Sequence, residues 1–179
     1  MKNFFSKVVG FFQWLWKRPE VQEALTALQQ KAWEDLKAIA AQAKEYRLTP
    51  MIGRSHGIHA EPITFGLKLG LMYDEFSRSI ERLQQTRHRV AVGKLSGAVG
   101  THAHLDPRVE ASVCEKLGLQ PSILSTQILQ RDRHAESVTT LALVGCSIDR
   151  WATEFRHLQR TEVLEVEERF HEGQKGSSA

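Results

Sequence analysis

The sequence contains only two cysteines and no long apolar run. Cys114 and Cys146 stand far apart, without the close spacing of a zinc knuckle or a disulfide framework. A reducing, cytoplasmic setting is therefore expected. No stretch approaches the roughly 20 consecutive apolar residues that a membrane-spanning helix needs. An apolar fraction of 41% with 25% charged residues is typical of a globular protein with a buried core.

Most of the chain also lacks an excess of charge. The formal net charge is +3, and all of it arises within the first twenty residues, where the basic side chains outnumber the single acid, Glu20. The basic residues in this stretch are Lys2, Lys7, Lys17 and Arg18. Residues 21–179 are neutral, so the body of the protein lacks the basic surface of a nucleic-acid-binding protein.

The first twenty residues have a pattern of their own. Apolar side chains recur on one helical stripe, at Phe4, Phe5, Val8, Val9, Phe12, Leu15 and Trp16. This spacing predicts an amphipathic helix over residues 1–20. The segment is too short to span a membrane, and no small-residue cleavage site of a signal peptide follows it. Packing onto a neighbouring helix is the plainer use, and attachment to a membrane surface is the alternative.

The remaining residues, 21–179, are predicted to form part of one helical domain. Propensity and apolar spacing predict helices over residues 21–46, 66–94, 108–116 and 134–166. Gly118 is expected to cap the third helix in a left-handed conformation. Glycine and proline interrupt the segments between the helices, at residues 48–63, 93–107 and 121–133, and predict irregular loops there. The predicted fold class is all-α, a bundle of long helices.

The last predicted helix has a regular apolar seam. Its members follow an alternating three-four spacing, at Leu141, Val144, Ile148, Trp151, Phe155 and Leu158. Such spacing is typical of helices that pack nearly parallel to one another, so these side chains are assigned to the core. A glutamate-rich run follows, at Glu162, Glu165, Glu167 and Glu168. We interpret this run as the solvated end of the helix.

Two segments outside the helices carry the residue types of an active site. Residues 53–62 read GRSHGIHAEP, and residues 174–179 read QKGSSA. Both resemble active-site segments of the fumarase/aspartase superfamily, and the sequence from about residue 30 to residue 179 most resembles the bacterial adenylosuccinate lyases. The resemblance implies the long-helix bundle of that superfamily.

The resemblance also implies a reaction. Members of this family catalyse an anti β-elimination that breaks a carbon–nitrogen bond and releases fumarate, without a cofactor. By position, His56 matches the general acid, a role suited to an imidazole whose pKa lies near neutrality. Ser178 matches the general base of a flexible loop, and its hydroxyl must be activated by its surroundings. The implied substrates are adenylosuccinate and the succinyl-carboxamide ribotide of purine biosynthesis.

Further residues are expected to contact the substrate. The resemblance matches Ser55 to a hydroxyl donor and Gln127 to a glutamine that binds a substrate carboxylate. The other expected substrate-binding residues are Arg54, His59, Lys68, Thr126 and Ser177. A metal site is the alternative, because His56 and His59 lie three residues apart. Glycine and proline argue against a helix there and no third ligand is close, so no metal is expected.

The resemblance implies a partner as well. Superfamily members form homotetramers in which segments of three subunits build each active site. The N-terminal domain of the family and the end of its signature loop have no match here, so we expect an internal fragment that is incomplete as a stand-alone enzyme. The expected partner is another copy or a full-length lyase. The alternative is a non-catalytic helical module that associates with a full-length lyase, with itself or with a membrane surface.

Overall fold

Four helices and two short strand pairs make up the part of the chain that this computed structural model describes, residues 19–167 and 172–173. Side chains are described from Ala27 onward, apart from those of residues 28 and 29. The helices are α1 (Pro19–Glu45), α2 (Phe65–Val90), α3 (Pro107–Leu117) and α4 (Asp132–Leu158). The strands are β1 (Pro50–Ser55), β2 (Ile58–Thr64), β3 (Val92–Gly93) and β4 (Gln120–Pro121). The predicted all-α class is confirmed by the three long helices, whereas the helix expected over residues 1–20 lies almost entirely outside the described residues.

Helices α1 and α2 approach each other closely where the β1–β2 hairpin joins them. The Gly66 N–H donates to the Tyr46 carbonyl oxygen (2.9 Å), and the rings of Tyr46 and Phe65 lie 5.4 Å apart. Gly66 is buried, and a Cβ atom on it would stand 2.6 Å from the Cα of Arg47. Only glycine therefore allows the two backbones to come this near.

Helix α4 runs antiparallel to α2. Near one end of the pair the hydroxyls of Thr86 and Thr140 are 3.0 Å apart, and near the other Trp151 donates to Glu75. The buried apolar side chains are Leu36, Leu69, Cys114, Trp151 and Leu158. Most of them lie on the three long helices, so the core is the contact region of this bundle.

The segment between α2 and α4 folds against the far end of the bundle. Helix α3 begins after Asp106, whose side chain accepts from the Arg108 N–H, and ends at Gly118 with φ of 66°, as the predicted left-handed cap requires. The buried carboxylate of Glu110 accepts from the Leu95 N–H. Strands β3 and β4 pair in parallel over two residues and complete this end.

Two sequence-based predictions are corrected by the structure. Residues 48–63 are not an irregular loop, because most of them form the antiparallel β1–β2 hairpin. The last helix ends at Leu158 rather than near residue 166, and the chain then reverses through Leu164, which has a left-handed φ of 49°. Neither change alters the helical class, since the strands are short.

The seam predicted along α4 is buried only at its C-terminal end. Trp151 and Leu158 are 2% and 3% exposed, as expected of core residues. Leu141 and Ile148 are 62% and 55% exposed, so their assignment to the core of the single chain is wrong. No helix among the described residues has both the length and the apolar character needed to cross a membrane.

Candidate active site

The β1–β2 hairpin carries the predicted general acid at its tip. Ser55 pairs with Ile58, and the two residues between them, His56 and Gly57, have φ angles of 56° and 75°. Positive φ at both central positions is the mark of a type I′ turn, which suits the twist of a two-residue hairpin. Glycine adopts this conformation freely, and histidine is among the residues that tolerate it best. His56 is consequently held exposed at the apex of the hairpin.

The strands beside the turn bring two further predicted site residues together. Arg54 of β1 pairs with His59 of β2, so both side chains lie on the same face of the hairpin. A β-bulge between Ile52 and Arg54 shifts the register just before this pair. Ser55, Arg54, His56 and His59 thus form one compact group around the turn.

A salt bridge connects this group to the segment that follows α4. Arg54 donates from Nη1 to Glu165 Oε2 (2.7 Å) and from Nη2 to Glu165 Oε1 (3.1 Å). This bidentate geometry is the stronger form of the guanidinium–carboxylate interaction. The two side chains are 25% and 21% exposed, so water screens the pair less than it would a surface pair.

The pKa values of both partners move in the directions that favour their charged forms. The hydrogen bond from Arg54 lowers the pKa of Glu165, and smaller contributions come from the charge of Arg54, the Ile52 backbone and the charge of Lys68. The bond to Glu165 raises the pKa of Arg54. Both groups therefore remain ionised across the neutral range.

Lys68, a predicted substrate-binding residue, forms a second salt bridge nearby. It lies in the first turn of α2, and its ammonium group donates to Glu154 of α4. Its side chain is 19% exposed. The hairpin and α2 thus supply the cations Arg54 and Lys68. Their carboxylate partners, Glu165 and Glu154, come from the C-terminal part of the bundle.

A cavity of about 430 Å³ opens between the hairpin and the end of α4. Its polar lining consists of Arg54, Lys68, Glu154, His157 and Arg160. Gly57 of the turn also lines it, which places the turn at its border. With Glu165, the partner of Arg54, included, three cationic groups face two carboxylates here, so the cavity keeps one positive charge in excess and can receive an anionic ligand.

Thr126 and Gln127 lie at the opposite end of the bundle. They belong to the connection between β4 and α4, which the Ser96–Ser125 hydroxyl contact (2.8 Å) joins to the loop after β3. Gln127 is exposed. Helix α2, with 26 residues, separates the two ends and spans roughly 40 Å at about 1.5 Å per residue. A single chain does not bring Gln127 to His56.

Ser177 and Ser178, the two remaining predicted site residues, lie outside the described residues. Among the described residues no group of three His, Cys, Asp or Glu side chains converges as a metal site would require. His56 and His59 in particular belong to a hairpin, not to the helix that would align ligands three positions apart.

Sequence reasoning missed the acidic partners of the site. Glu165 was interpreted as one of several solvated glutamates, yet its carboxylate is fully engaged by Arg54. Glu154 was not singled out at all. The Arg54–Glu165 pair joins positions 111 residues apart in the sequence, and no local pattern signals such a contact. Arg54 itself was the one available hint that a carboxylate lay opposite.

Comparisons with known proteins agree with this architecture. Residues 16–179 match a family model described as Lyase. The chain is 59% identical over 144 residues to an adenylosuccinate lyase from Synechocystis sp., an alignment that covers 80% of this chain and 33% of that protein. The chain thus spans about a third of the length of the curated relatives it matches.

Solved structures share the same fold. A β-carboxy-cis,cis-muconate cycloisomerase from Acinetobacter calcoaceticus sp. ADP1 superposes with a TM-score of 0.71 at 27% identity, covering 80% of this chain and 34% of that one. A fumarate lyase from Mesorhizobium sp. BNC1 superposes with a TM-score of 0.70 at 36% identity, covering 80% of this chain and 34% of that one. The bundle and its hairpin are therefore a shared scaffold, and the chemistry must be argued from the side chains.

Proposed function

Since this chain belongs to the lyase family whose model matches residues 16–179, we propose that it contributes to a β-elimination of the adenylosuccinate lyase type. The observation that carries the proposal is the exposed His56 at the tip of a hairpin that borders a cation-lined cavity, in a chain 59% identical to an adenylosuccinate lyase. The substrate is then a small succinyl-nucleotide, adenylosuccinate or succinyl-carboxamide ribotide, and the products include fumarate. No cofactor takes part.

The proposed chemistry needs one base and one acid. The base removes a proton from the succinyl carbon, and the electron pair left behind forms the double bond of fumarate. The carbon–nitrogen bond breaks as the acid protonates the leaving nitrogen. His56 is the proposed acid, since neither neighbouring strand buries it and an imidazole is the side chain that most often serves as general acid or base. Ser178 is the proposed base.

The proposed substrate contacts fall into two groups. On the hairpin and at the start of α2, Ser55, His59, Arg54 and Lys68 are the proposed contacts, and they offer hydroxyl, imidazole and cationic groups to carboxylates or phosphate. At the other end of the bundle, Thr126 and Gln127 offer a hydroxyl and an amide. Ser177 belongs with Ser178. The proposed location is the cytoplasm, which follows from the proposed role in purine biosynthesis.

The separation of the two groups supports a multi-chain site. His56 and Gln127 lie near opposite ends of α2, which is roughly 40 Å long, too far apart to contact one small substrate. In a homo-oligomer, such as the tetramer expected from the family resemblance, the hairpin end of one chain can meet the far end of another. A full-length lyase can play the same part as a partner.

A second candidate function is a helical module without catalysis of its own. The observation that favours it is the exposed apolar face of α4, where Val138, Leu141 and Ile148 are 68%, 62% and 55% exposed. Such a face suits association with a full-length lyase or with a second copy. Binding to a membrane surface depends instead on residues 1–20 and is the less favoured form of this alternative.

The test is fumarate release from adenylosuccinate, followed by ultraviolet absorbance. The purified chain is assayed alone and mixed with a full-length lyase whose histidine equivalent to His56 has been replaced. We expect activity in the mixture, and at least about a hundredfold less when the chain carries His56→Asn, because general acid catalysis contributes on that scale. Asparagine tolerates the left-handed turn, so the fold is retained.

The matched control is His88→Asn, which removes an exposed histidine of α2 far from the hairpin. It should leave activity in the mixture unchanged. A mixture that forms a stable complex but releases no fumarate would contradict catalysis and favour the helical module. Activity of the chain alone would mean that its own copies complete the site.

A further inference from the structure

The chain after α4 folds back and directs one carboxylate at the hairpin. The Glu165 N–H donates to the Leu158 carbonyl oxygen (3.0 Å), and the Val166 N–H approaches the same oxygen (3.4 Å). Leu164 takes the left-handed conformation that allows this reversal. The backbone of Glu165 is thereby fixed to the C-terminal end of α4.

The side chain of Glu165 then fixes the hairpin to the same point. Both terminal nitrogens of Arg54 donate to its two carboxylate oxygens, which sets the direction of the guanidinium as well as its distance. The Ile52 backbone also contributes to the lowered pKa of Glu165. Ile52 and Arg54 flank the shift in register, whose extra residue lies in β2, so Glu165 holds β1 opposite that irregularity.

The geometry points to Glu165 as a positioning residue for His56. Arg54 belongs to β1, lies two residues before His56 and pairs with His59 of β2. A fixed Arg54 therefore restrains both sides of the turn. Without this clamp the hairpin would be held mainly by its own ladder, and an isolated two-stranded hairpin is only marginally stable. The inference rests on the proposed function in so far as His56 is the acid.

A measurement independent of activity comes first. Hydrogen–deuterium exchange of the chain, read by mass spectrometry over residues 50–64, reports how often the hairpin opens. For Glu165→Gln we expect exchange there to be faster by about tenfold or more, since bonds to a charged partner are lost. Glu162→Gln, an exposed glutamate of the same segment, is the matched control and should leave exchange unchanged.

Exchanging the charges separates the clamp from general damage to the fold. Arg54→Glu combined with Glu165→Arg should slow hairpin exchange again relative to either single variant. Unchanged exchange in Glu165→Gln, or no recovery in the double variant, would overturn the clamp. The His56 resonances in nuclear magnetic resonance spectra give a second readout, since they should shift in Glu165→Gln and not in Glu162→Gln.

Kinetics of the mixture with the inactivated full-length lyase test the link to catalysis. A displaced acid should lower kcat by about tenfold or more while KM changes less than about twofold, because the acid acts in the transition state. A rise in KM with unchanged kcat would instead assign Glu165 to substrate binding and overturn the positioning role. If the mixture with the unaltered chain is inactive, the proposed function fails, and the exchange and resonance measurements still decide whether Glu165 holds His56.

Discussion

Glu75 is the residue through which α2 and α4 are most directly connected. Its carboxylate accepts from the guanidinium of Arg150 and from Trp151 Nε1 (3.1 Å). Trp151 is almost fully buried, so without Glu75 its indole N–H would be left inside the protein without this hydrogen bond. The bond from Arg150 is the main reason that the pKa of Glu75 is lowered, and bonds from Ser147 and Trp151 add to it.

The lowered pKa of Glu75 makes part of the stability dependent on pH. A carboxyl group whose pKa is lower in the folded than in the unfolded state contributes fully above its unfolded pKa, and the contribution disappears as pH falls through the folded value. Glu75→Gln should therefore lower the free energy of unfolding by about 1 kcal/mol at pH 7, a modest figure because Arg150 is half exposed. Urea unfolding at pH 7 and pH 3 measures this change in the free energy of unfolding.

At pH 3 the difference between Glu75→Gln and the unaltered chain should shrink, because pH 3 lies below the ordinary pKa of 4.5 and the stabilisation is lost as the pH falls from there through the lower, folded-state value. Glu81→Gln is the control, an exposed glutamate of the same helix whose partner is Gln85. It should have little effect at either pH. An equal loss for Glu75→Gln at both values would mean that its charge is not what stabilises the pair.

The conformation of His56 shows how one residue serves both fold and site. Its φ of 56° is uncommon for a residue with a side chain, and together with Gly57 it closes the two-residue turn. The turn therefore needs Gly57 and a residue that tolerates positive φ at position 56, and the proposed proton transfer needs that residue to be histidine. Backbone conformations of this kind recur at functional sites.

At the scale of elements, the contact between α1 and α2 depends on Gly66. Gly66→Ala would place a Cβ atom 2.6 Å from the Cα of Arg47, in contact with backbone that cannot move aside as a side chain could. We expect a loss of about 2 kcal/mol or more in the free energy of unfolding. Chemical denaturation monitored by circular dichroism measures this change.

Gly70 is the matched control for Gly66, one turn further along α2. Nothing lies within 4 Å of a Cβ atom placed on it. Because alanine favours the helix over glycine, Gly70→Ala should raise the free energy of unfolding by about 0.5–1 kcal/mol. Changes of the same sign in both variants would show that helix propensity, and not the closeness of the two backbones, governs this region.

The helices could be predicted from the sequence, whereas the hairpin could not. Residues 21–46 and 66–94 carry apolar spacing and few helix breakers, and α1 and α2 follow them closely. In residues 48–63, Pro50, Pro62 and two glycines conceal the strands, because such residues usually exclude a strand interior. Pro50 begins β1 and Pro62 lies beside the bulge, positions at which a strand tolerates proline.

The candidate site was predictable to the extent that it is local. His56, Arg54 and His59 belong to one short segment, and the hairpin does bring them together. The partners Glu165 and Glu154 come from distant parts of the chain, and only the folding of α4 against α2 makes them neighbours. Gln127 was grouped with His56 by resemblance alone, and within one chain the two lie at opposite ends.

For the molecule as a whole, the exposed apolar stripe on α4 suits the proposed association with another chain. Val138, Leu141 and Ile148 follow one another along α4 at three-residue and seven-residue spacing, and each is more than half exposed. This is the spacing with which a further helix packs along a bundle. It is consistent with the proposed homo-oligomer, in which α4 would be covered by another chain.

The proposed association can be measured by sedimentation velocity. Val138→Lys combined with Leu141→Lys places two charges on the stripe and should shift the chain toward monomer at a concentration where the unaltered protein associates. Both positions are more than 60% exposed, at 68% and 62%, so the fold of the single chain should be retained. Thr139→Lys combined with Cys146→Lys adds the same charge on another exposed face and should leave association unchanged. Equal dissociation by both pairs of substitutions would mean that added charge, and not the stripe, controls assembly. The hairpin end of one chain and the Gln127 end of another would then have to meet through some other surface.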